Sequence, residues 1–303
     1  MQIAVMGAGA VGCYYGAMLA LGGHAVSLIG RAAHVEAVRR QGLQLQTAAG
    51  TQAVAVVAST TAEAARGAAL VLLCVKATDT EPAGAALLPH LAPGAQVLCL
   101  QNGIDNVARL KALPGWQAVS VDAAVVYVAA EMAGPGHVLH RGRGDLTIGT
   151  SPRAAALKAL FSSAGVALHI SGDLRSELWG KLVINCVYNA LSAVLQLPYG
   201  VFAVTEEGRR LIDALLRECL DVATAQGVRL PAETENTVRR LPESMPEQRS
   251  STAQDLARGR PSEIDFLNGA IVRMAATHGI AVPVNRTLLG LVRLLEASAL
   301  REA

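Results

Sequence analysis

QIAVMGAGAVG (residues 2–12) runs from a short apolar strand through a glycine turn into an apolar segment of helical length. Each glycine of GAGAVG has a separate physical task. Gly7 permits the tight turn, Gly9 lets backbone approach a pyrophosphate, and Gly12 lets the helix pack closely on the strand. The helix amino terminus then faces the phosphates with its unpaired N–H groups. A glycine hexapeptide alone is weak evidence, but in the opening βαβ unit of a chain it is strong. Gly7, Ala8, Gly9, Ala10, Val11 and Gly12 are therefore the expected cofactor-binding turn, against the alternative of a merely structural one.

Working outward, the first half alternates short β-branched runs with Ala/Leu-rich helical segments. The strands expected are 2–7, 25–30, 70–75, 95–100 and 119–129, then shorter ones at 137–140, 145–149 and 166–170. Near-continuous apolar strands imply burial on both faces, as in a parallel sheet covered by helices. Residues 1–150 carry 17 charged side chains and residues 151–303 carry 33, mostly at helical intervals. The second half is expected to be helical, over about 205–227, 261–279 and 285 to the end. The fold class expected is α/β, an N-terminal Rossmann-like doubly wound parallel sheet followed by an all-helical C-terminal domain. The division is placed at 1–171 and 172–303.

The second strand identifies the dinucleotide. An NAD site usually carries Asp or Glu at this strand's end to hold the ribose hydroxyls. Here the end reads LIGRAAH, and the first carboxylate in the chain is Glu36. Arg31 stands where a 2′-phosphate needs a cation, so NADP(H) is the expected cofactor. The alternative is a solvated arginine that only begins the next helix. Lys76 and Asn102 follow two further strands, where ligands of open α/β sheets bind. As a lysine in a loop and an Asn-Gly turn, they read equally well without function.

GKLVINCVYNAL (180–191) places Lys181, Asn185 and Asn189 among apolar residues. At 100° per residue the two asparagines lie about 40° and 80° from the lysine. A solvent-facing stripe favours Glu, Lys and Arg, because Asn is a poor helix former. The stripe reads as a semi-buried polar face, or as an interhelical hydrogen-bond network with the lysine snorkelling outward. A lysine there suits carbonyl reduction, since its ammonium can protonate the alkoxide left by hydride addition.

Composition excludes several classes. With 52% hydrophobic and 17% charged residues, a large core is available and disorder is not expected. A formal charge of +2 provides no polyanion-binding field, so nucleic acid is not an expected partner. Five scattered cysteines read as free, buried thiols in a reducing compartment. The uncharged first 30 residues lack a basic n-region and are rich in glycine, so no signal peptide is read there. The uncharged segment 182–204 carries amides and Pro198-Tyr199-Gly200, so no membrane span is expected and a cytoplasmic location is. No metal site is expected: C-x-x-C and H-E-x-x-H are absent, and His137 and His140, if on one strand, point to opposite faces.

Taken together, GAGAVG, CVKATDT (74–80), QNG (101–103), GKLVINCVYNAL (180–191) and SSTAQDLARGRPSEIDFLNGAIV (250–272) resemble the ketopantoate reductase family. With HGIAVPVNRTLLGLVRLLE (278–296), the resemblance spans almost the whole chain. It implies reduction of 2-dehydropantoate to pantoate with NADPH, on the route to pantothenate and coenzyme A. It also implies a site in a cleft between a Rossmann domain and a helical domain. By the same resemblance Lys181 is the general acid and Glu263 its carboxylate partner, which also binds the substrate hydroxyl. Asn102 bridges nicotinamide and substrate, Asn185 and Asn189 position substrate polar groups, and Ser251 helps hold the substrate carboxylate. Lys76 matches a cofactor-side lysine. Asp265 and Ser250 are nearby competitors for two of these places, and Glu263 also reads as an ordinary carboxylate in a helix's first turn. Ala190 departs from a proline found in some members. The expected partner is a small 2-oxo acid, and a homodimer is compatible with this reading. Two other functions remain: a 3-hydroxyacid-type dehydrogenase, or another 2-oxo acid reductase. A non-catalytic NADP(H) sensor is the reading from a different class.

Overall fold

The computed structural model describes residues 1–302, with side chains through residue 298. The chain forms two compact units, Met1–Gln101 with Asp105–Leu174, and Asn102–Ile104 with everything from Arg175 onward.

The first unit carries ten strands: β1 (Gln2–Met6), β2 (Ala25–Ile29), β3 (Leu43–Thr47), β4 (Gly50–Val54), β5 (Val57–Ser59), β6 (Leu70–Leu73), β7 (Gln96–Cys99), β8 (Ser120–Gly134), β9 (His137–Gly149) and β10 (Leu168–Ser171). Its α-helices are α1 (Ala10–Leu21), α2 (Ala32–Gln41), α3 (Thr80–Leu87), α4 (Asn106–Ala112) and α5 (Ala154–Ser163). Strands β5-β2-β1-β6-β7-β8 are all parallel, in the order of a dinucleotide-binding sheet. Alternate residues feed two cores. Ile3, Val5, Leu72 and Leu98 point into one, while Ala4, Val71, Leu73 and Val97 point into the other. Burial of both faces is the physical reason these strands read as continuous apolar runs.

Past Ala123, β8 leaves β7 and pairs antiparallel with β9, which also takes β3 and β10 as parallel neighbours. The sheet is thus parallel-dominated but mixed. Two departures from the sequence reading lie here. The hairpin β3–β4 was not expected, although LQLQT alternates in period two with Leu43 and Leu45 buried. The stretch RGRG (141–144), left between the strands expected at 137–140 and 145–149, lies inside β9. Register shifts in the β8–β9 ladder absorb it, with Gly142, Arg143 and Gly144 at positive φ.

The second unit is helical: α6 (Leu174–Leu195), α7 (Tyr199–Phe202), α8 (Glu206–Ala225), α9 (Thr234–Ser244), α10 (Ser251–Ala257), α11 (Asn268–Thr277) and α12 (Pro283–Glu302). Among the described residues α6 alone is long and apolar enough to cross a membrane, but two-thirds of it is buried inside the protein. Leu182, Val183, Cys186 and Val187 pack there with Leu215 and Cys219 of α8 and with Ile271 of α11. The helix expected from about residue 205 starts there as α8, where the Thr205 hydroxyl accepts from the Gly208 N–H at 3.0 Å. Thr205→Ala is expected to cost about 1 kcal/mol, read as a lower denaturation midpoint at unchanged m-value.

The helix expected from about Pro261 begins seven residues later. Ser262 Oγ accepts from the Ile264 N–H at 3.2 Å, and Glu296 accepts from the Ser262 N–H at 2.7 Å. Those bonds divert the backbone into a single 3₁₀ turn, Ile264–Phe266, before α11 starts at Asn268. The helices α9 and α10 were not anticipated. Pro242 interrupts the first, and the second has only seven residues.

Candidate active site

In the first unit the glycine turn sits at the carboxyl end of β1, between β2 and β6, where the strand order reverses direction. Gly7 and Ala8 both donate to the Ile29 carbonyl at 3.0 Å, and Cys74 donates to Met6 at 2.7 Å. The three glycines differ in what surrounds them. Gly7 has φ +108°, and a Cβ there would lie 2.4 Å from the Val75 nitrogen. A Cβ on Gly12 would lie 2.2 Å from the Gly7 carbonyl oxygen. One on Gly9 would meet nothing within 4 Å. Packing within the protein therefore accounts for two of these glycines and leaves Gly9 unexplained. Gly9 is exposed and N-caps α1, which has no side-chain cap and no acidic residue in its first turn. That arrangement fits a pyrophosphate approached by backbone.

Arg31 caps α2 directly after β2 and is exposed. Lys76 precedes a 3₁₀ turn after β6 and is half-buried. Both thus lie beyond the carboxyl ends of the strands flanking β1. A buried polar network, missed by sequence reasoning, holds the Lys76 turn. Gln101 Nε2 donates to Thr80 Oγ1 at 2.8 Å, and Thr80 Oγ1 lies 3.0 Å from both the Ala77 carbonyl and Asn106 Oδ1. Arg109 donates to the Ala77 carbonyl at 2.7 Å and to Glu81 Oε1 at 2.7 Å. Its guanidinium holds the Glu81 carboxyl below the usual carboxylate range. Thr80 and Gln101 stand inside CVKATDT and QNG, so their position in those stretches was the available signal.

The cysteines carry no disulfide. Cys13, Cys99, Cys186 and Cys219 are buried and Cys74 half-buried. Burial pushes the Cys13 and Cys99 thiols up to about 12, which keeps them protonated and poorly nucleophilic at neutral pH.

In the second unit α6 presents Lys181 and Asn185 half-buried and Asn189 4% exposed. Ser250 caps α10. Its hydroxyl donates to the Asn189 carbonyl and accepts from the Ala253 N–H, each at 3.0 Å, and its own N–H donates to Ser192 Oγ at 3.2 Å. With its hydroxyl so occupied, Ser250 is 1% exposed, whereas its neighbour Ser251 is exposed. Asp265 is likewise committed, to an ion pair in which Arg293 Nε donates at 2.9 Å.

Glu263 is half-buried before the 3₁₀ turn, not in the first turn of an α-helix, so macrodipole stabilisation does not explain it. Asn102 Nδ2 donates to Glu263 Oε2 at 3.1 Å, across 161 residues of sequence. Although it lies only three residues past the sheet strand β7, Asn102 belongs with Ile104 to the helical unit. The structure therefore groups Asn102, Lys181, Asn185, Asn189, Ser251 and Glu263 in one unit. The glycine turn, Arg31 and Lys76 are grouped in the other. An amide and a carboxylate in contact, in the same unit as a half-buried lysine, can orient a polar substrate and move a proton.

Comparison with known proteins gives a consistent answer. The family model described as ketopantoate reductase PanE/ApbA matches residues 3–153, and the model for the C-terminal part of the same family matches 173–296. A 2-dehydropantoate 2-reductase of Halobacterium salinarum is 34% identical, over 98% of this chain and 99% of its own. The crystal structure of a PanE/ApbA family ketopantoate reductase from Ralstonia eutropha JMP134 is 52% identical, with TM-score 0.95 over 99% of this chain and 100% of that one. A D-mandelate dehydrogenase solved with NADH and anilino(oxo)acetate is 27% identical, with TM-score 0.88 over 99% of both chains. With both halves matched and relatives aligned end to end, the chain belongs to the ketopantoate reductase family.

Proposed function

We propose that this protein reduces 2-dehydropantoate to pantoate with NADPH, in the cytoplasm. The observation that carries the reading is the Asn102–Glu263 hydrogen bond, in the unit that also holds the half-buried Lys181 on α6. Family membership supplies the substrate class, because relatives matched end to end are named 2-dehydropantoate 2-reductases.

The dinucleotide, when bound, supplies the hydride that adds to the keto carbon. Backbone of the Gly7–Gly12 turn would hold its pyrophosphate, with Gly9 leaving room for close approach. Arg31 would pair with the 2′-phosphate, and Lys76 would serve the cofactor side. Lys181 gives its ammonium proton to the carbonyl oxygen as charge develops there, so the product is the neutral hydroxyl and Lys181 is left as the amine. Glu263 accepts the substrate hydroxyl and holds Lys181 in its working orientation. Asn102 aligns nicotinamide and substrate, Asn185 and Asn189 engage substrate polar groups, and Ser251 donates to the carboxylate. These amides and hydroxyls orient without adding competing charge.

Initial rates for a panel of 2-oxo acids, each with NADPH and with NADH, test this reading. Ketopantoate with NADPH is expected to have the highest kcat/KM. Preferred turnover of an aryl 2-oxo acid with NADH would move the assignment toward the D-mandelate dehydrogenase neighbour. Oxidation of a 3-hydroxy acid with NAD would move it to the other dehydrogenase class. For the 2′-phosphate contact, Arg31→Ala should raise the NADPH dissociation constant about tenfold or more and leave the NADH value nearly unchanged. Equal effects on both cofactors would remove Arg31 from that role.

A further inference from the structure

We propose that Asn268 is a positioning residue whose carboxamide fixes the segment carrying Glu263 against α6, and so sets the geometry of the proposed acid–base pair. This rests on the functional reading above. Asn268 is fully buried, and its Nδ2 donates both to the Cys186 carbonyl of α6 and to Asn285 Oδ1, each at 2.9 Å. Cys186 is the next residue after Asn185 in the polar stripe. On its other side, Asn268 is joined to Glu263 by the single 3₁₀ turn. Within that turn Phe266 donates to the Glu263 carbonyl at 2.9 Å, and Ile264 and Leu267 are each 1% exposed.

The direction of the amide is dictated from behind. Glu218 of α8 accepts from the Val284 N–H at 2.8 Å, the Asn285 N–H at 2.9 Å and Asn285 Nδ2 at 2.8 Å. That leaves Asn285 Oδ1 as the acceptor facing Asn268, which turns the Asn268 NH₂ group toward both Asn285 and α6. Two features separate this from ordinary packing. Cys186 lies in the interior of α6, where its carbonyl already serves the helix ladder, so the added bond rescues no orphan group. Asn268 Oδ1 is buried without a partner, a cost that an apolar side chain of similar size would not carry. An amide kept at such a site supplies direction, and the two segments it joins carry Glu263 and the Lys181–Asn185–Asn189 stripe.

The test is a double-mutant cycle with full kinetics. Asn268→Leu is expected to fold, to keep the NADPH dissociation constant within about twofold, and to lower kcat about tenfold or more. In a Glu263→Gln background the same substitution is expected to change kcat less than about twofold. An unchanged kcat in Asn268→Leu, or an equal loss in both backgrounds, overturns the proposal. If Asn268→Leu does not fold, Asn285→Ala removes the acceptor that orients Asn268. It should show the same dependence on Glu263 at smaller amplitude, and an independent loss overturns the proposal equally. Glu263→Gln alone reports on the functional reading. If it leaves kcat unchanged, that reading fails, whereas a lowered kcat with no coupling to Asn268 sinks the present proposal only.

Discussion

Lys181→Ala is expected to lower kcat for ketopantoate reduction about 10²–10⁴-fold, the usual range for removing a general acid, with NADPH binding nearly intact. The expectation follows from where the lysine sits. It is half-buried on α6, whose other side is committed to the helical core by Leu182, Val183 and Cys186, so the polar face is held in one orientation. No other side chain in the stripe can take over proton donation, because Asn185 and Asn189 have no ionisable proton. The residues proposed to hold the dinucleotide, Gly7–Gly12, Arg31 and Lys76, do not include Lys181, so fluorescence titration with NADPH should give nearly the same dissociation constant for wild type and variant. A kcat loss under about tenfold would reassign Lys181 to the hydrogen-bond network that its sequence position also allowed. A non-catalytic sensor would show no turnover before or after the change.

The three motif glycines should separate stability from binding. Gly7→Ala is expected to cost about 3 kcal/mol or more, since it combines φ +108° with a Cβ 2.4 Å from backbone that flexible side chains cannot relieve. Gly12→Ala should behave alike, with its Cβ 2.2 Å from the Gly7 carbonyl oxygen. Both would appear as a large fall in thermal midpoint or as loss of folded protein. Gly9→Ala meets nothing within 4 Å and should leave stability within about 0.5 kcal/mol. Its effect should fall on the dinucleotide, weakening NADPH binding about tenfold or more. Unchanged NADPH affinity in Gly9→Ala would remove the pyrophosphate from that turn.

What the sequence could reveal follows the range of the interactions concerned. The requirements of GAGAVG are local, so they read directly from adjacent residues, as does the start of α8 near residue 205. The parallel strands were legible because burial on both faces writes a continuous apolar run. The β3–β4 hairpin was not, because its glutamine-rich alternation is short and its pairing with β9 lies some ninety residues ahead. Choices between neighbours also depended on distant partners. Ser250 is taken up by α6, and Asp265 by Arg293 of α12. The grouping of Asn102 with Glu263 spans 161 residues and leaves no periodic trace in either segment. Asn268 stands inside the 250–272 stretch, where its place is not legible because it depends on Cys186 and Asn285.

A single turnover decides whether the protein reduces ketopantoate with NADPH. Excess protein is mixed with NADPH and ketopantoate, and the reduced product is identified by mass and chromatographic comparison with authentic pantoate. One pantoate is expected for each NADPH oxidised, with product formation and loss of nicotinamide absorbance sharing one rate. Bound NADPH that stays reduced in the presence of ketopantoate, or oxidation without pantoate, would contradict it.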